Sequence, residues 1–195
     1  MAAEFDLARV NKNSAQFDAG KLEAINGDKI RVLEPADFAA RITPFLTESR
    51  LVPDPVPAAD AELIAAGARL IQTRISKLSD AVRMLGFLFV DGAGFHVNPE
   101  DAARVLTPEA VPALAAAQKA LAGLGTWSHE EIERVLWAAL ITGLGLKRRV
   151  AFIPVYVAVT GHRIAPPLFD SIELLGREKT LDRLTRAVRL AEGAA

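Results

Sequence analysis

The sequence predicts a mainly helical protein. Alanine and leucine, both strong helix formers, are abundant, whereas β-branched residues are scattered. Apolar residues recur with helical spacing, as in Phe38, Ile42 and Leu46. Capping residues and prolines stand where such segments would begin or end. The 195 residues are enough for one large domain or for two small ones with buried cores.

Helix-end signals place the first elements. Asp18 is expected to cap a helix that stops at Asn26-Gly27. Pro35 is expected to open the next helix, because proline fits the first helical turn. Three prolines make residues 51–60 a connecting segment. Asp60 is then expected to cap a long amphipathic helix.

The middle of the chain carries the same kinds of signal. A helix is expected over Asp80–Leu88, and Asp91–Gly94 is the best candidate for a domain boundary. Thr107 is expected to start an alanine-rich helix. Ser128, with Glu131 three residues later, forms a capping box that opens a further helix.

The region from Val150 to Val159 differs from the rest. Its valine, phenylalanine, isoleucine and tyrosine residues predict a strand on local propensity alone. Two more helices are expected after it, over Pro167–Leu175 and Arg177–Ala191.

Composition excludes several classes of protein. The chain has no cysteine, so disulfides and thiolate metal sites are excluded, and a reducing cytoplasm is the expected setting. No apolar run is long enough to cross a bilayer, and the first residues do not resemble a signal peptide, so we expect no membrane association. The histidines His96, His129 and His162 stand apart, so no metal site is predicted.

Charge is distributed unevenly along the chain. The net charge of −1 argues against a general nucleic-acid binder. Residues 146–195, however, hold nine basic and five acidic side chains, a net +4, so residues 1–145 carry −5. Any surface that faces phosphates is therefore expected toward the C-terminal end.

Three blocks with fixed spacing form the most specific motif. They read PVYVAVTG at 154–161, PPLF at 166–169 and LLGRE at 174–178. Together they resemble the C-terminal signature of glutamyl-tRNA synthetases. Near the other end, FDLARVNKNSAQFD at 5–18, followed by Lys21-Leu22 and Asn26, resembles the stem-contact segment of the same family. This segment departs from the family at Ala24 and Lys29, where tryptophan and tyrosine are usual, and the resemblance spans essentially the whole chain.

The resemblance implies an architecture. It implies an all-α protein in which a short helical stem-contact segment, residues 1–34, precedes two consecutive helical bundles. The bundles would be anticodon-binding subdomains at 35–91 and 92–195. It also implies that Val150–Val159 is helical, against its local propensity.

The turn around position 166 is the first candidate RNA site. The resemblance implies that Ala165, Pro166, Leu168 and Phe169 contact the anticodon of glutamate tRNA. The chemistry is suitable, because a proline-braced turn ending in apolar side chains offers a rigid platform for unpaired bases. The alternative is that Leu168 and Phe169 are core residues at the start of a helix.

Two further residues are candidates for reading the anticodon. The string RISKLSD at 74–80 resembles a family motif whose arginine reads a cytosine, which assigns that role to Arg74. The alternative is an ordinary solvated arginine. Tyr156 stands where the family usually has arginine, so either stacking on a base or simple packing is open to it.

Basic residues supply the candidates for phosphate contact. These are Lys147, Arg148, Arg149 and Arg163, which would provide affinity without reading sequence. The alternative is a solvated charged face. Arg183, Arg186 and Arg189 are spaced along the last helix and could serve only to offset its dipole.

The catalytic motifs of the family are absent from the sequence. We therefore expect that this chain, as a fragment of a ligase, does not charge tRNA alone and holds no cofactor, whereas the parent enzyme would use ATP and Mg²⁺. The resemblance implies two partners, glutamate tRNA and a catalytic domain in cis or in trans, and a monomer in the cytoplasm. A helical scaffold derived from a synthetase that docks another protein, and a helical enzyme with an unnoticed site, are the alternatives.

Overall fold

The computed structural model describes residues 18–193. Within this range the regular elements are all helical, which confirms the all-α fold class. The α-helices are α1 (Ala19–Arg31), α2 (Pro35–Glu48), α3 (Ala58–Ile71), α4 (Asp80–Leu85), α5 (Pro99–Val105), α6 (Val111–Ala122), α7 (His129–Leu136), α8 (Arg148–Thr160), α9 (Leu168–Leu175) and α10 (Arg177–Ala191). Three 3₁₀ turns lie at Gly86–Leu88, Gly92–Gly94 and Pro108–Ala110, and a π-helical turn, Trp137–Gly143, continues α7.

Three helix starts lie where the sequence predicts them. The Asp18 carboxylate accepts a hydrogen bond from the Lys21 backbone N–H at 3.0 Å. Pro35 is the first residue of α2. The Ser128 hydroxyl accepts the Glu131 backbone N–H at 3.4 Å and caps α7. Local capping chemistry is therefore sufficient to place these ends.

Two helix-end predictions are wrong. The helix α1 does not stop at Asn26-Gly27 but continues to Arg31. Both residues make tertiary contacts within the helix, since Gly27 is buried and the Asn26 amide donates to the Ser76 carbonyl. Asp60 is not a cap, since α3 starts at Ala58 after Pro57 and Asp60 lies in its first turn. A carboxylate in the first turn still favours the helix through its dipole.

The strand prediction for Val150–Val159 is also wrong, and the implied helix is confirmed. This stretch forms most of α8. Val155, Val157 and Val159 are fully buried, so packing around the helix offsets the modest helix propensity of β-branched residues. The helix ends at Gly161, which adopts the left-handed conformation (φ 80°) typical of a helix C-terminus.

The helix α8 has a buried side and a side that faces solvent. It packs against α6 and α10 on the buried side, and α5 and α9 contact it as well. Arg149, Ile153 and Tyr156 are spaced four and three residues apart and therefore share one face of α8. These three side chains are exposed or half-buried.

The last helix, α10, contacts the segment of residues 87–92, which we call the junction. The buried guanidinium of Arg183 donates to the carbonyl oxygens of Val159, Phe87 and Val90 at 2.6, 2.7 and 2.8 Å. Lys179 forms an ion pair with Asp91. Arg183 therefore does more than offset the helix dipole, because it ties α8 and the junction to α10.

The division into subdomains at 35–91 and 92–195 stays a prediction, and residues 1–17 of the expected stem-contact segment lie outside the described residues. Among residues 18–193, no helix is both long and apolar enough to cross a membrane.

Candidate nucleic-acid interface

The loop between α8 and α9, residues 161–167, is fastened by one side chain. The Tyr156 hydroxyl donates to the Ala165 carbonyl at 2.5 Å and accepts from the Ala165 backbone N–H at 2.8 Å. Burial raises the pKa of this hydroxyl, so it remains a donor at neutral pH. Of the two possible roles for Tyr156, the structure favours packing and loop support, and a base contact by its ring remains a prediction.

The residues of this loop differ in exposure. Ala165 and Pro166 are buried, whereas Leu168 is half-buried at the start of α9. Arg163 and Ile164 are exposed, the latter by 63%. The anticodon contacts of Ala165, Pro166 and Leu168 stay predictions. The sequence analysis did not select Ile164 as a candidate for RNA contact, although an isoleucine in a short turn is a signal of an exposed apolar surface.

Phe169 belongs to a row of rings. Its ring meets the edges of His129 and Phe152, with centroids 5.8 and 5.7 Å apart. Phe152 in turn lies 5.5 Å from Trp137, and the Arg148 guanidinium lies 4.5 Å above the Trp137 ring. Phe169 is therefore packed on two sides and half-buried, and its contact with a base stays a prediction.

Arg74 lies near this loop although it is distant in sequence. The helix α3, which Arg74 follows, packs against α9, which follows the loop. The positive charge of Arg74 also opposes the burial-driven rise in the pKa of Tyr156. Arg74 is exposed and follows α3 in a turn. The fold thus brings together the arginine and the loop that the sequence assigned separately to anticodon reading.

The turn that carries Arg74 is fixed to α1. The Gln72 amide donates to the carbonyls of Ile30 and Leu33 at 3.0 and 2.8 Å. The Lys77 ammonium forms an ion pair with Glu23 at 2.5 Å. Arg74 therefore projects from a backbone that is held on both sides along the chain.

The basic side chains predicted to contact phosphates point to two different parts of the surface. Lys147, Arg148 and Arg149 are exposed at the start of α8, whose first turn holds no acidic residue and whose dipole adds to their positive field. Arg148 covers Trp137, whereas Arg149 faces a groove that Arg163 also lines. The groove includes Arg104 of α5, which the sequence gave no reason to select.

No metal-binding cluster of three or more His, Cys, Asp or Glu side chains is found among the described residues. His129 does lie between two carboxylates, with its Nδ1 3.2 Å from Asp170 and its Nε2 3.8 Å from Glu133. These contacts orient the ring at the end of the aromatic row.

A family described as "Anticodon binding domain" matches residues 37–188 of this sequence. The chain belongs to this family. Its predicted resemblance to glutamyl-tRNA synthetases is confirmed by curated relatives that carry the name glutamate–tRNA ligase. The chain is 49% identical to the ligase of Rhodococcus jostii over 96% of its own length and 38% of the relative's. It is 46% identical to the ligase of Acidothermus cellulolyticus over 98% of its length and again 38% of the relative's.

Solved structures support the same fold for this anticodon-binding chain. A glutamate tRNA ligase from Elizabethkingia meningosepticum, crystallised with its amino acid, superposes with a TM-score of 0.75 at 20% identity. The match covers 95% of this chain and 35% of that structure. The chain therefore spans little more than a third of the proteins it matches.

Proposed function

We propose that this chain is the anticodon-recognising part of a glutamate–tRNA ligase. The observation that carries the proposal is the packing of α3, which Arg74 follows, against α9, whose preceding loop is fastened by Tyr156. This packing brings a guanidinium and a fastened apolar turn to the same region of the fold. Such a combination can hold splayed bases by stacking and read their edges by hydrogen bonds.

The residues divide the work of binding. Leu168, Phe169 and the backbone of Ala165 and Pro166 would form the stacking platform, with Arg74 reading a base edge. Lys147, Arg148, Arg149 and Arg163 would contact phosphates and set the register of the RNA. Because Tyr156 fastens the loop before RNA arrives, less conformational freedom is lost on binding.

The whole ligase would act in the cytoplasm, as a monomer, and join glutamate to its tRNA with ATP and Mg²⁺. The present chain would contribute tRNA binding but no catalytic residues. It would bind no cofactor, and charging would require a catalytic domain in cis or in trans.

The test is a titration of the 195-residue chain with glutamate tRNA and with the same tRNA carrying a changed anticodon. We expect Arg74→Ala and Leu168→Ala each to weaken binding of the cognate tRNA by about 5- to 100-fold, since one base contact or stack contributes about 1–3 kcal/mol. The changed anticodon should weaken binding to the wild type but have much less effect on Arg74→Ala.

A matched control is Arg189→Ala, which removes an exposed arginine of α10 and should change affinity by less than about twofold. Affinity that is the same for both anticodons would reject the proposal and favour the scaffold, in which the chain docks another protein.

A further inference from the structure

A groove lies between the outward face of α8 and the connection from α5 to α6. Its volume is about 350 Å³, within the usual range of small-molecule sites. Apolar side chains form part of its lining, chiefly Val150, Ile153 and Pro154. Val150 is 55% exposed, so its side chain is accessible to a ligand in the groove.

Three guanidinium groups also line the groove, which we therefore call the arginine groove. They come from Arg104 on α5, Arg149 on α8 and Arg163 in the loop. All three are exposed, and within residues 18–193 none of them forms an ion pair. By contrast, Arg41 and Arg134 are paired with carboxylates on their own helices.

One carboxylate also lines the groove. A hydrogen bond with the Thr107 side chain lowers the pKa of Glu109, so that residue is ionised at neutral pH. The lining still carries a net charge of +2. It therefore combines an apolar floor with an excess of positive charge, which suits a ligand that is both flat and anionic.

The groove is held in shape by the loop that also supports the anticodon site. The Arg163 backbone N–H donates to the Asp101 carboxylate at 3.0 Å. Asp101 and Arg104 are three residues apart on α5 and so face the same side. The Asn98 N–H also donates to the Gly161 carbonyl at 2.9 Å, so the first three residues of the loop are tied to the start of α5.

We propose that the arginine groove binds one unpaired nucleotide of the tRNA that flanks the anticodon. The base lies on Val150 and Ile153, and its phosphates contact Arg104, Arg149 and Arg163. This inference rests on the proposed function, because it extends the same RNA along α8 from the loop that both sites share. It assigns Arg104, Val150 and Ile153 to RNA binding.

The first experiment measures the salt dependence of binding. The probe is a synthetic stem-loop with the anticodon sequence of glutamate tRNA, titrated with the 195-residue chain. Arg104→Ala should weaken binding by about 5- to 20-fold and reduce the slope of log affinity against log salt by about one. Arg189→Ala is the control, since it removes an exposed arginine that does not line this groove.

The second experiment asks whether a base is stacked. Stem-loops with a single abasic nucleotide at each loop position are compared in the wild type and in Val150→Ser. One position outside the anticodon should cost the wild type about 10-fold in affinity and cost Val150→Ser about threefold or less. Because Val150 is exposed, this variant should fold normally.

The two proposals can fail separately. If Arg104→Ala matches Arg189→Ala, or if the abasic penalty is the same with and without Val150, the groove proposal is overturned even where Arg74 still discriminates anticodons. If Arg74→Ala and a changed anticodon have no effect, the proposed function is overturned and the groove proposal falls with it.

Discussion

The basic C-terminal region holds two kinds of arginine with opposite surroundings: Arg183, which binds the junction, and Arg149 and Arg163, which line the arginine groove. Arg183 is 3% exposed, donates to three carbonyls and stacks over Phe95 at 3.7 Å. Arg149 and Arg163 are exposed and make no ion pair within the described residues. A guanidinium whose donors are occupied supports the fold, whereas one whose donors are free can take a ligand.

This contrast changes the meaning of the charge gradient. The net +4 of residues 146–195 counts both classes of arginine equally. Burial lowers the pKa of Arg183 to about 10, so it is still charged at neutral pH but has no surface through which to attract RNA. Fewer basic side chains are therefore accessible to phosphates than the sequence suggests. Those of α8 and of the loop are the exposed ones that the sequence assigned to phosphate contact.

The largest expected effect tests the structural side of the comparison. Arg183→Met should lower the free energy of unfolding by about 3–5 kcal/mol, because three buried carbonyls lose their donor at about 1–3 kcal/mol each. Urea denaturation followed by circular dichroism measures it. Arg189→Met, an exposed change on the same helix, should cost less than about 0.5 kcal/mol. Equal effects of the two variants would show that the hydrogen bonds of Arg183 do not stabilise the fold.

A smaller effect is expected at the start of the loop, where support and recognition meet. Gly161→Ala should cost about 2–3 kcal/mol, since a Cβ there adds steric strain at φ 80° and lies 3.0 Å from the His96 carbonyl oxygen. Gly145→Ala has a similar positive φ of 65° but no neighbouring atom within 4 Å, so it should cost about 1 kcal/mol. Thermal unfolding of both variants checks the difference, and similar losses would show that the contact with His96 is unimportant.

The smallest loss of stability is expected on removal of the Tyr156 hydroxyl, which supports the loop at Ala165. Tyr156→Phe should cost about 1–2 kcal/mol, because both backbone groups of Ala165 lose their partner. Hydrogen exchange should show the Ala165 amide becoming less protected while amides of α10 are unchanged. An unaltered exchange rate at Ala165 would mean that Tyr156 does not hold the loop.

Local chemistry was enough to predict several parts of the fold. Asp18, Pro35 and Ser128 act within one helical turn, so their neighbours in sequence determine the outcome. The strand prediction for Val150–Val159 was wrong because β-propensity reflects packing, and this segment packs as a helix against α6 and α10. Family resemblance gave the correct answer there because it carries tertiary information that propensity lacks.

The candidate site was only partly predictable. The motif identified the 161–169 region and Arg74, but only the fold shows that Tyr156 fastens the loop and that α3 packs against α9. Arg104 could not be selected, because nothing in its local sequence differs from an ordinary helical arginine until α5 is placed beside α8. Arg183 was likewise misjudged, since its acceptors are 24 to 96 residues away.

The attachment of Arg74 to α1 has a mechanical consequence. Gln72 and Lys77, which flank the arginine in sequence, contact α1 through the Ile30 carbonyl and the Glu23 carboxylate. A tilt or slide of α1 would accordingly shift the backbone that carries Arg74. The base contact proposed for Arg74 would in turn restrain the position of α1.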